Sequence, residues 1–201
     1  MHSFNIGENK IGFDAPLYFI ADVAANHDGD LERAKDLIYL SAEAGADAAK
    51  FQHFTANTIV SDLGFKSLGG QQSHQSKWKK SVFDVYQDAS INQDWTPILK
   101  ETCDKAGITF FTSPYSFDLV DAVDSFVPAY KIGSGDITWL ENIEYIASKK
   151  KPIILATGGS NLNSSMPYIF FPSNTLTLYA LLLILAIISK NRPVGDNSTL
   201  Y

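Results

Sequence analysis

From residue 17 onward, short apolar runs rich in β-branched and aromatic side chains alternate with longer stretches in which apolar residues recur every three or four positions. The runs at 17–23, 47–51, 108–112, 129–132 and 152–156 read as strands, and those at 31–44, 94–106, 117–123 and 139–149 read as helices. In the first unit Asp30 is placed to cap a helix beginning at Leu31, and Gly45 is placed to end it. Leu31, Ala34, Leu37, Ile38 and Ala42 fall on one face of that helix and predict a covered sheet. Sustained alternation of strand and helix predicts parallel strands joined by right-handed crossovers, an α/β fold. No GxGxxG follows the first strand, which favours a barrel over a doubly wound sheet. A closed (β/α)8 TIM-type barrel needs eight strands and about 250 residues. The five strands found here predict an incomplete barrel over residues 1–160.

Two stretches break the pattern. Residues 53–93 form a long polar connection with one short helical pattern at 81–86, placed after the second strand on the face where barrels bind substrate. It is expected to help shape the site. Residues 161–201 carry only Lys190, Arg192 and Asp196 as charges, and 176–188 are almost wholly aliphatic, which reads as a helix in a divergent hydrophobic tail. That run falls short of the roughly 20 residues a bilayer span requires, so a membrane partner is not expected.

Composition narrows the function classes. With 201 residues, 45% hydrophobic and 19% charged, the chain is long enough for one real core. A net charge of -6 argues against nucleic acid as a partner, because phosphate backbones select basic faces. The single cysteine, Cys103, cannot form an intramolecular disulfide, and residues 1–14 lack a secretory pattern; both suit a cytoplasmic protein.

The candidate chemistry sits on the strands. Lys50 and Lys131 lie within strand-like sequence, where a lysine is buried only if partnered, and Asp22 supplies a carboxylate on the first strand. Ser113 and Ser134 add hydroxyls, Gln52 follows Lys50 on the same face, and Gly133 and Gly135 allow main-chain amides to approach an anion. Such a set suits a small anionic substrate.

Four motifs carry a resemblance. They are IADVAANHDGD from Ile20 with AGADAAKFQ from Ala44, GITFFTSPYS from Gly107, YKIGSGD from Tyr130 and KPIILATG from Lys151. Over residues 16–160 the chain resembles the N-acetylneuraminate (sialic acid) synthase family. The resemblance implies condensation of phosphoenolpyruvate with an N-acetylated amino sugar such as N-acetylmannosamine, with release of phosphate. It assigns acid–base catalysis to Asp22, where the family typically has glutamate, phosphoenolpyruvate binding to Lys50, Ser113, Lys131 and Ser134, and a sugar contact to Gln52. At Ala156 the family usually has serine. The resemblance also implies a homodimer and a divalent metal, Mn2+ or Mg2+, whose histidine ligands are not among these motifs; His27 and His53 are not assigned as ligands. Taken with the divergent tail, it predicts a truncated chain, inactive alone. Two other readings remain open: another phosphate-binding barrel enzyme such as an aldolase, with Lys131 as a Schiff-base lysine, and a non-catalytic fragment associated with membranes through 176–188.

Overall fold

The computed structural model describes residues 3–67 and 78–158 and the backbone of Leu178–Tyr179. Its centre is a parallel sheet in the order β3 (Ile20–Ala24), β4 (Ala48–His53), β5 (Thr109–Pro114), β6 (Tyr130–Ile132), β7 (Ile153–Leu155) and β8 (Leu178–Tyr179). Every neighbouring pair is parallel. The crossover helices are α1 (Leu31–Glu43), α5 (Thr96–Ala106), α6 (Phe117–Asp124) and α7 (Leu140–Ser148). This is the incomplete (β/α) barrel that the strand–helix alternation predicts, with β3 to β7 as its five expected strands.

Helix boundaries follow local chemistry. The Asp30 carboxylate accepts from the Glu32 and Arg33 amides at 2.8 and 3.2 Å, satisfying two donors that the first turn of α1 leaves free. At the other end Gly45 takes φ +86°, and the Gly45 and Ala46 amides bond back to Ala42 and Ser41, closing the helix in a left-handed cap. Ala34 and Ile38 pack fully buried into the sheet-helix core with Ala48, Ala49, Phe51 and Phe110.

Three features differ from expectation. An antiparallel hairpin, β1 (Phe4–Ile6) and β2 (Asn9–Ile11), precedes the barrel and buries Ile6 and Ile11. Asn9 Nδ2 donates to Thr109 Oγ1 at the start of β5, so the hairpin covers the end of the sheet opposite the strands' C-termini. The connection after β4 holds three short helices, α2 (Ala56–Ile59), α3 (Asp62–Ser67) and α4 (Val82–Ala89), where one helical pattern was predicted; residues 69–75 lie outside the described part. In the aliphatic run read as a helix, Leu178–Tyr179 is instead a strand in register with Ile153 and Ile154. An aliphatic run is compatible with either element, and pairing to β7 decides it.

Candidate active site

Register sorts the side chains of the central strands between two faces. Asp22 is paired with Lys50, Lys50 with Phe111 and Gln52 with Ser113, and in-register residues of adjacent strands project to one side. Tyr130 is in register with Thr112, which places Lys131 on the face of Ser113. Asp22, Lys50, Gln52, Ser113 and Lys131 therefore share one face. Lys50 lies in mid-strand rather than at a strand end, because β4 continues to His53. A bulge between Asp22 and Ala24, with Ala24 at φ +51°, bends β3 at the carboxylate.

Lys50 is only 6% exposed and its ammonium is ion-paired with Asp22 Oδ1. Lys131 is 9% exposed, and its ammonium donates to the Ile132 carbonyl at 2.7 Å. Burial first and then the neighbouring Lys50 charge bring the Lys131 ammonium down to about 8, against the opposing pull of the Asp22 and Asp136 carboxylates. Four charges of alternating kind thus gather around one region. Asp136 closes the far side, its carboxyl raised by burial against the pull of Lys131. Ser134 stands in the turn Ser134–Asp136 after β6, facing Gly158: a side chain added at Gly158 would begin 3.8 Å from Ser134 Cβ. At Ala156 the main-chain amide bonds to the Ile132 carbonyl.

Two site residues escaped the sequence reading. Gln52 Nε2 donates to the Tyr115 hydroxyl at 2.8 Å. Burial and then the Asp136 charge hold the Tyr115 proton in place well above the usual phenol range. Gly133 makes this arrangement possible, since a Cβ there would lie 2.9 Å from Asp136 Oδ2 and 3.4 Å from the Tyr115 hydroxyl. Both residues stand in motifs at strand ends, which was the available signal.

The other face is organised differently. His53 is fully buried with Nδ1 at 2.8 Å from Thr112 Oγ1 and Nε2 at 2.9 Å from Thr96 Oγ1 on α5. Burial lowers it to about 4, with His27 adding to the effect. His27 Nδ1 accepts from the Gly29 amide, its ring meets Trp95 edge-on, and burial lowers its proton affinity also. Among the described residues no three of His, Cys, Asp and Glu gather in a group able to hold a metal ion, and both nitrogens of His53 are occupied. The divalent metal implied by the resemblance does not fit these residues. No helix among the described residues is long and apolar enough to cross a membrane.

Comparison with known proteins decides the lineage. Residues 37–181 match the NeuB family. The chain belongs to the NeuB family. Spore coat polysaccharide biosynthesis protein SpsE of Bacillus subtilis is 33% identical over 81% of this chain and 43% of its own length, and N,N'-diacetyllegionaminic acid synthase of Legionella pneumophila is 32% identical over 75% and 42%. The crystal structure of a sialic acid synthetase from Leptospira borgpetersenii, solved with citrate, superposes with a TM-score of 0.69 at 26% identity, covering 83% of this chain and 53% of that one. A 3-deoxy-D-arabino-heptulosonate 7-phosphate synthase from Thermotoga maritima shares the fold alone, with a TM-score of 0.55 at 15% identity. This NeuB-family chain spans less than half the length of the curated relatives it matches. The family match extends past residue 160 and takes in β8.

Proposed function

We propose that this chain supplies the phosphoenolpyruvate-binding part of a NeuB-type enzyme that joins phosphoenolpyruvate to an N-acetylated amino sugar and releases phosphate. The observation that carries the reading is the pair of buried lysines, Lys50 and Lys131, on one sheet face in a chain whose relatives are synthases of sugar acids. Their charges offset the carboxylate and phosphate of the substrate in a site with little water, where each ammonium counts for more than at the surface. Ser113 and Ser134 donate hydroxyl hydrogen bonds to the same groups.

In this reaction the methylene carbon of phosphoenolpyruvate forms the new bond to the sugar aldehyde carbon. Water then adds at C2, and the tetrahedral centre breaks its carbon–oxygen bond to phosphate. Asp22 is the acid–base group, held on the lysine face by its ion pair with Lys50. Gln52, held by Tyr115, and Asp136 present polar atoms to the sugar. No step is assigned to a metal, because the described residues provide no site for one. The 201 residues alone are expected to bind phosphoenolpyruvate without condensing it.

The test is isothermal calorimetry of phosphoenolpyruvate against the 201-residue chain, with phosphate release followed in the presence of Mn2+ and N-acetylmannosamine. Saturable binding without phosphate release is the expected result. A folded chain that shows no affinity for phosphoenolpyruvate would refute the assignment.

A further inference from the structure

The two buried lysines are treated differently. Lys50 is ion-paired with Asp22, whereas Lys131 forms no ion pair among the described residues and rests on one main-chain carbonyl. A buried ammonium with no carboxylate in direct contact recovers little of its desolvation cost, so such a lysine tends to give up its proton and become a nucleophile. A neighbouring cation strengthens that tendency. Lys50 is that neighbour, on the same face.

We propose that Lys131 captures 2-oxo carboxylates as a covalent iminium, an activity beyond carbon–carbon condensation. This rests on the reading of the face as a carboxylate-binding site, because Lys50 and Ser113 would hold the carboxylate beside the carbonyl. The Lys131 nitrogen forms a bond to the C2 carbonyl carbon, and the carbonyl oxygen leaves as water with two protons from the original ammonium. The product is a protonated carbon–nitrogen double bond, with no oxidant or other reactant consumed. At pH 7 roughly a tenth of a lysine titrating near 8 is already neutral, against fewer than one in a thousand at the ordinary 10.5. The condensation itself yields a 2-oxo acid, so its open-chain product belongs to the class captured.

The experiment incubates the 201-residue chain with pyruvate at pH 7, adds sodium borohydride to reduce any iminium to a stable secondary amine, and maps the adduct by peptide mass spectrometry. We expect one dominant site at Lys131, at least tenfold above any other lysine, and even labelling once the chain is unfolded in urea. A Lys131→Arg chain should lose the adduct, and Lys50→Met should slow its formation severalfold, since the change removes both the partner of the substrate carboxylate and the cation that lowers the basicity of Lys131. Absence of the adduct, labelling spread over surface lysines, selectivity that survives urea, or trapping in Lys50→Met at the wild-type rate would overturn the proposal. Calorimetry with phosphoenolpyruvate on the same sample separates the two readings. Binding without an adduct removes only the iminium, and an adduct without binding upholds it while removing phosphoenolpyruvate as the substrate.

Discussion

The two faces of β4 bury ionisable groups in opposite ways. On one, both nitrogens of His53 meet threonine hydroxyls from β5 and α5, and the group is complete as it stands. On the other, Lys50, three residues back along β4, and Lys131 on β6 hold buried positive charge answered by one ion pair and one carbonyl. A fully satisfied buried polar group stabilises the fold, while an under-satisfied one of fixed charge leaves room for a ligand of opposite charge. Changes on the His53 face should therefore cost stability, and changes on the lysine face should cost binding.

The largest expected departure from that rule is Asp22→Ala, because it strands Lys50 as a buried charge. Urea unfolding should show a loss of about 3 kcal/mol, with much of it recovered when Lys50→Met is added, since the stranded charge is then gone. Full loss in the double variant would mean that the lysine face too is primarily structural.

Acid should act through the His53 face. His53 titrates near 4 in the fold and near 6.5 when unfolded, so the unfolded chain binds more protons between those values. Its contribution is complete above pH 6.5 and is lost as pH falls toward 4, on the order of 3 kcal/mol in all. Urea midpoints measured between pH 7 and 4 should fall accordingly, and a His53→Gln chain should show a flatter dependence. An equal slope in both chains would remove His53 as the cause.

Tyr115→Phe should have the smallest effect. It deprives Gln52 Nε2 of its acceptor, worth about 1 kcal/mol of stability, and frees Gln52 to swing. If Gln52 faces the sugar, phosphoenolpyruvate affinity should be unchanged in calorimetry. Weakened phosphoenolpyruvate binding would place Tyr115 on the anion side instead.

Much of this was legible in the chain. Strands predicted at 47–51 and 108–112 appear as Ala48–His53 and Thr109–Pro114, because short, near-continuous runs buried on both sides leave few alternatives. The Asp30 and Gly45 helix boundaries were readable from capping chemistry alone. Lys50 and Lys131 could be singled out because lysines in apolar strands need an explanation. The β1–β2 hairpin was not legible, since three-residue strands containing Asn5, Asn9 and Lys10 carry no apolar period and gain their place by packing on the barrel end. Tyr115 and Asp136 were missed for a related reason: their roles depend on meeting Gln52 and Lys131 across the sheet, a through-space relation that spacing along the chain does not encode. At Leu178–Tyr179 hydropathy could not choose between helix and strand, and the free edge of β7 made the choice.

The claim that the lysine face is an anion site is tested most directly by titrating phosphoenolpyruvate into the 201-residue chain and into its Lys50→Ala and Lys131→Ala variants, with circular dichroism confirming that all three are folded. Each variant should bind about a hundredfold more weakly, as expected when a desolvated anion loses a charged partner. Equal affinity in the three chains would contradict the account.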